Sequence, residues 1–277
     1  MDWDIDFITY DNFKKHVKNT INHYGEKLES YDIKRFNKNI IDPIKMIFDK
    51  AVYGSDWQTL ISNEIFRQRD KTNNNEIGYF HQRLFDYLKS CHVPKNGTEG
   101  GWDVIYRTNA GYQIKGDANV HRIYVEMKNK HNTMNSSAAS KTYIKMQHQL
   151  LEDDDCACFL VEAIAKRSQD IPWSTTVDGK KVSHKRIRRV SIDKFYEIVT
   201  GDKDAFYKIC MALPIVVDTV IKEMDSSLTV PKDTVYTDLS YKANKYNCDG
   251  DMAMYLAMYM LGFHSYSGFE RYQEIDN

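Results

Sequence analysis

The run Ile123-Tyr124-Val125-Glu126-Met127-Lys128-Asn129-Lys130 alternates apolar and charged residues, then passes into the small, polar His131-Asn132-Thr133-Met134-Asn135-Ser136-Ser137. Alternation of that kind specifies a strand with one buried face that delivers side chains into a loop. Residues two apart share a strand face, so Glu126 and Lys128 project together while Val125 and Met127 project the other way. The carboxylate and the ammonium then stand roughly 6 to 7 Å apart at the backbone. Upstream, Gly101-Trp102-Asp103-Val104-Ile105-Tyr106 reads as a second strand with Asp103 near its start, and Asn109-Ala110-Gly111 reads as a turn beyond it. An Asp, a hairpin-sized gap and then Glu-x-Lys supply two carboxylates that can share a divalent metal. They also supply a lysine that can hold or deprotonate a water aimed at phosphorus. That set suffices to hydrolyse a phosphodiester. The same three residues also arise by chance on ordinary strands with a solvated Glu and Lys. Their placement on two strands, ahead of a loop rich in amides and hydroxyls, favours the site.

The rest of the chain frames those strands. Phe13, Val17, Ile21 and Tyr24 recur at helical spacing behind Asp11. Asp42-Pro43 starts a second helix that Gly54 stops, and Ser55-Asp56-Trp57-Gln58 caps a third. After the polar break Thr72-Asn73-Asn74-Asn75, the stripe Ile77, Phe80, Leu84, Phe85 and Leu88 predicts a helix packed on the sheet, with His81 and Gln82 beside it. Lys141 to Leu151 predicts a crossover helix leading to Ala157-Cys158-Phe159-Leu160-Val161, a central buried strand. Asp178-Gly179 signals a tight hairpin before His184-Lys185-Arg186-Ile187-Arg188-Arg189, the densest basic cluster. That cluster reads equally as protection of a strand edge and as a track for phosphates. A helix over Ile192 to Val199 ends at Gly201, and one over Ala205 to Met224 should kink or break at Pro214. Met252, Tyr255, Leu256, Tyr259 and Met260 form a further stripe, read as core or as a subunit contact.

A net charge of −1 gives no global attraction to nucleic acid, so affinity for it must come from local clusters of Lys and Arg. Five scattered cysteines make no disulfide framework and fit a reducing cytoplasm. Cys156-x-Cys158 lies in an apolar run and has the wrong spacing for a zinc knuckle. The acidic N-terminus lacks the features of a signal peptide, and the apolar run from Met252 to Phe263 is too short to span a bilayer, so no membrane segment is expected.

Gly101-Trp102-Asp103-Val104 followed by the run from Val125 to Ser137 resembles the PD-(D/E)xK nucleases, and more narrowly the type II restriction endonucleases that cut GGNCC. The similarity runs from about Phe36-Asn37-Lys38-Asn39-Ile40-Ile41-Asp42-Pro43, through Ile77-Gly78-Tyr79-Phe80-His81-Gln82, to the segment Arg188 to Tyr196. The chain departs from the superfamily at two points. Trp102 precedes the first Asp where Pro is usual, and Gln82 stands where the preceding helix often carries Glu. A neutral Gln82 can orient water or a ligand but adds no charge for a second metal.

The expected fold is therefore α/β: a mixed sheet with an antiparallel catalytic hairpin, flanked by helices. A helical part covers 1–72, the nuclease core 73–224 and a helical appendage 225–277, within one continuous domain. The expected function is Mg²⁺-dependent cleavage of double-stranded DNA at a short specific site. Asp103, Glu126 and the carbonyl of Met127 would hold the metal, with Lys128 placing the attacking water. Asn129, Lys130, His131, Asn132, Asn135, Ser136, Ser137 and Lys141 are expected to meet a DNA groove, and Lys185, Arg186, Arg188 and Arg189 its phosphates. A homodimer is expected, with a host methyltransferase that the protein does not contact. The alternatives are a structure-selective repair or recombination nuclease of the same fold and a non-catalytic DNA-binding module.

Overall fold

The computed structural model describes residues 3–25, 48–49, 52–54, 57–95, 97–115, 117, 119–131, 133–224, 241, 243–248, 252–253, 256, 260, 263 and 265–272. The expected helix at Asp42-Pro43 and the candidate contact Asn132 lie outside them, as do the side chains of Trp57, Tyr255 and Tyr259. In chain order the larger elements are α1 (Tyr10–Gly25), α2 (Trp57–Leu84), β1 (Cys91–His92), β2 (Val104–Gln113), β3 (Asn119–Lys130) and α3 (Ser136–Glu152). They continue with β4 (Cys156–Ile164), β5 (Asp170–Val177), β6 (Lys180–Ser191), α4 (Ile192–Thr200) and α5 (Ala205–Glu223). The described strands form one six-stranded sheet in the order β1-β2-β3-β4-β6-β5.

The sheet is mixed. β2 pairs antiparallel with β3, while β3 with β4 and β4 with β6 run parallel. Parallel neighbours need a crossover, and α3 supplies it between β3 and β4. Because β4 is central and covered on both faces, its sequence is apolar without alternation, and Cys156 to Ala163 are buried throughout. One face of the sheet carries Val104, Val125, Phe159 and Val161 into a large core shared with Phe13, Leu84, Phe85, Phe195 and Phe206. On the other face Ile105, Cys158, Leu160 and Ile187 pack under Tyr143 and Met146 of α3. Glu126 and Lys128 share a face with Tyr124, which packs on this second cluster, so they point to the α3 side.

Several expectations change in the structure. The helix expected to break at Thr72 to Asn75 is a single α2 from Trp57 to Leu84, carried unbroken through the 72/73 boundary. Asn disfavours helix by only a few tenths of a kcal/mol, and here Asn74 donates to Asp70 at 2.9 Å one turn back. Asn109 to Gly111 is not a turn. β2 continues to Gln113 with a register shift between Arg107 and Tyr112, and Gly111 takes a φ of 75° that a bulge can use. The polar loop is shorter than expected, because β3 holds Asn129 and Lys130 and α3 begins at Ser136. Helix α5 runs through Pro214 rather than ending there. In the C-terminal stripe, Leu256 and Met260 are buried in the main core. The Asp178-Gly179 turn joins β5 to antiparallel β6, and α4 ends at a left-handed Gly201. The described cysteines are all free, and no described helix is long and apolar enough to cross a membrane.

Candidate active site

Asp103 sits at the mouth of the β2–β3 hairpin. Its main-chain N–H donates to the Val125 carbonyl (2.9 Å), and its Oδ2 accepts the Met127 N–H at 2.6 Å. The register Val104 opposite Val125 sets Asp103 alongside Glu126. Glu126 then accepts from two lysines: Lys128 Nζ reaches Oε1 at 2.7 Å and Lys145 Nζ reaches Oε2 at 3.0 Å. Lys145 comes from α3, donates also to the Gly101 carbonyl at 2.7 Å and lies 4.1 Å over the Trp102 ring. The Trp102 indole N–H is fixed in turn by Gln149 at 2.9 Å. One ammonium therefore joins the segment that carries Asp103 to the strand that carries Glu126.

The two carboxyls differ in charge preference. Burial pushes Asp103 above the usual Asp range, and the Met127 N–H offsets this only in part while neighbouring Glu126 adds to it. Burial also acts on Glu126, but the attraction and hydrogen bonds of Lys128 and Lys145 outweigh it and hold the carboxyl below its ordinary value.

A cleft of about 380 Å³ opens over these groups, walled by Asn74, Tyr79 and Gln82 of α2 and by Asp103, Glu126, Lys128 and Asn129. Gln82 is buried and its amide donates to the Asp103 main-chain carbonyl at 3.2 Å, so it fixes the backbone at this point. Asn129 Oδ1 is buried without a hydrogen-bond partner. His81 also lines the cleft, and burial pushes it down to about 4, which makes it neutral at physiological pH. Among the described residues no three His, Cys, Asp or Glu side chains converge as a ready metal cage, so the acidic donors here are a pair.

The remaining candidates separate. Lys130 and Lys141 are exposed, as are Ser136 and Ser137 at the start of α3. Asn135 is the N-cap of that helix and accepts the Ala138 N–H at 2.8 Å. His131 Nδ1 lies 3.1 Å from Glu162, a nearly buried carboxylate on β4 that Arg189 also contacts. In the basic cluster each cation faces an acid. Lys185 and Arg186 pair with Asp117 at 3.2 and 2.9 Å, Arg188 pairs with Asp170, and Arg189 pairs with Glu162. Arg188 is only 5% exposed. Lys145 and Glu162 were not visible as site residues in the sequence. Each lies on another element: the packing of α3 brings Lys145 to Glu126, and the parallel β3–β4 register sets Glu162 beside Lys128 on the neighbouring strand.

Comparison with known proteins decides the family. The Eco47II restriction endonuclease model matches residues 5–222. This chain belongs to that family. It is 30% identical to the type II restriction enzyme Sau96I of Staphylococcus aureus over 79% of this chain and 81% of that protein. It is 24% identical to the type II restriction enzyme Eco47II of Escherichia coli over 79% of this chain and 89% of that one. The protein is thus a site-specific deoxyribonuclease, a hydrolase of DNA phosphodiesters, and its family acts on double-stranded DNA.

Proposed function

We propose that this family member is a PD-(D/E)xK enzyme that cleaves double-stranded DNA at GGNCC with Mg²⁺, as a cytoplasmic homodimer, and with no direct contact to the methyltransferase that protects host DNA. The observation that carries the reading is the clasp of Asp103 on the Met127 N–H, which sets two carboxylates and Lys128 side by side in one cleft.

The donor set suits a hard divalent ion. Asp103, Glu126 and the Met127 carbonyl all offer oxygens and would hold the ion, whose charge would offset the repulsion that Glu126 exerts on Asp103. When bound, Mg²⁺ supplies charge neutralisation at the phosphate and a more acidic water. Lys128, whose Nζ lies on Glu126, would hold an attacking water on that side of the cleft, and Gln82 keeps the Asp103 backbone in place. Asn129 lines the cleft, Lys130 and His131 follow it directly along the chain, and Lys141 is exposed on α3, so these are the residues offered to a groove beyond the cleft. Ser136 and Ser137 present the N-terminus of α3, an end that favours a phosphate. Asn135, committed to its cap, adds shape rather than a base contact.

The experiment is digestion of a sequenced plasmid with Mg²⁺, mapping the ends, for the wild type and for Asp103→Asn, Glu126→Gln and Lys128→Ala. Ends at every GGNCC whatever the central base are expected. Each variant should cut at least about 100-fold more slowly, since even outer-shell partners of a metal cost 10 to 100-fold. A different consensus would sink the sequence assignment, and full cleavage by any variant would sink the site.

A further inference from the structure

We propose that the groove between α1 and α2 carries the DNA sugar–phosphate backbone away from the cleavage cleft, with Arg83 and Lys95 as its phosphate contacts. The inference rests on the cleft being where the scissile phosphate lies.

The groove encloses about 740 Å³. Its walls are His16, Asn19 and Asn22 of α1, Tyr79 and Arg83 of α2, and Lys95 beyond β1. Tyr79 and Gln82 line both this groove and the cleft, so the two spaces adjoin along one turn of α2. Gln82 itself touches the Asp103 main chain. A strand seated in the cleft that continues past Gln82 therefore enters the groove. Consecutive phosphates follow every roughly 3.4 Å of axis on each strand, so such a strand brings further negative charges with it.

The lining fits that cargo. The amides of Asn19 and Asn22 and the phenols of Tyr79 and Tyr87 supply neutral hydrogen-bonding groups of the kind that bind phosphate and sugar oxygens. Arg83 lies 4.6 Å over the Tyr79 ring, a contact that holds it at the groove, and a guanidinium carries the fork of donors that binds a phosphate bidentately. Among the described residues no acid pairs with Arg83 or Lys95, and Asp86 in the same lining accepts the Val93 N–H at 3.2 Å. The basic run at 185–189 is the opposite case. Its cations already face Asp117, Asp170 and Glu162, so a phosphate there must displace an ion pair. Arg83 and Lys95, which no acid among the described residues faces, can take a phosphate without breaking a described ion pair.

The test is equilibrium binding of the full chain to a labelled duplex in Ca²⁺, measured by fluorescence anisotropy over a series of salt concentrations. It uses the wild type, Arg83→Gln, Lys95→Gln, the double variant and Arg83→Lys. Each neutralisation should make the slope of log Kd against log salt shallower by about 0.9, and the double by about twice that, equally on duplexes with and without GGNCC. Arg83→Lys should keep the slope. Phosphate ethylation of the wild-type complex should interfere at positions flanking the cut on one side, and Arg83→Gln should lose part of that pattern. An unchanged slope in a double variant with native circular dichroism overturns the proposal. If Arg83→Gln does not fold, Lys95→Gln and the wild-type ethylation pattern decide, and a pattern confined to the recognition sequence overturns it. Failure of the cleft reading is separate, because it would appear as undiminished cutting by Asp103→Asn or Lys128→Ala, whatever the salt slopes.

Discussion

Glu126 is held from two sides, and the two lysines are not equivalent. Lys128 rides on the same strand and keeps its place two residues along whatever else moves, whereas Lys145 bridges Glu126 to Gly101 and so couples two elements. Lys145→Met should therefore loosen both the carboxylate and the segment bearing Asp103. The expected result is a roughly 10 to 100-fold slower single-turnover cleavage, the range for a residue that orients a metal ligand. Lys145→Arg retains donors and charge over the Trp102 ring and should recover most of the rate. Equal rates for Lys145→Met and wild type would leave the bridge without a role in orienting the site. That Glu126 and Lys128 share a face is legible from strand alternation, because a period of two fixes it, while Asp103 enters as a carboxylate near the start of a second strand. Lys145 cannot be picked out, since nothing in its surroundings on α3 says that the helix lies over Glu126.

Elements are tied together by polar contacts at their ends. Arg122 of β3 grips Asp153, the C-cap of α3, through Nε and a terminal nitrogen at 2.5 Å each. Burial raises the Asp153 carboxyl, but the Arg122 hydrogen bond, the Asp155 N–H and the Arg122 charge outweigh it and hold it below the usual range. A carboxylate whose folded pKa is depressed stabilises the fold above its unfolded pKa and loses that contribution as pH falls through the folded value. Asp153→Ala should thus cost about 1 kcal/mol at neutral pH, partial exposure of Arg122 keeping the figure modest. The difference from wild type should shrink in acid, below pH 3.8 and onward, as read by urea unfolding across pH. Asn135→Ala removes the cap of the same helix and should cost about 1 kcal/mol, with Asn135→Asp retaining stability. A loss of site specificity without loss of stability would instead make Asn135 a base reader.

Which elements the sequence revealed follows from how local their causes are. The Asp178-Gly179 turn is specified by two residues that accept positive φ, 48° and 75° here, and the central strand by its unbroken apolar run. The continuity of helix α2 is not legible in its sequence because a weak local signal, three asparagines, competes with packing that only the folded chain supplies. Strand order is less visible still. That β6 lies between β4 and β5 depends on contacts distant in sequence, as does the pairing of the basic run with Asp117, Asp170 and Glu162. The density of positive residues is legible in the sequence, whereas the carboxylates that folding sets against them come from other elements and are not.

At the scale of the whole molecule, one chain brings together a single set of Asp103, Glu126 and Lys128, and a duplex presents two strands of opposite polarity. A two-fold symmetric site is met most simply by two copies of the chain related by the same symmetry, each cutting one strand. The stripe that could have formed such a contact is in part used within the chain, since Leu256 and Met260 are buried in its core. Phe48, Val52 and Tyr53 are instead exposed on the described surface, and large apolar side chains left in water are where a second copy would gain most. The prediction concerns mixed dimers of wild-type and Lys128→Ala chains, made by co-expression with distinguishable tags and purified through both. A dimer with one competent site should convert supercoiled plasmid to nicked circles and stall there, whereas the wild-type homodimer should yield linear DNA in one encounter. If the mixed species gives linear product at about half the wild-type rate, each chain cuts both strands in turn and the dimer is not the cutting unit. Raising the protein concentration separates the cases again. A dimer assembled on demand should show a rate that rises faster than linearly with enzyme at low concentration, and a self-sufficient monomer should not.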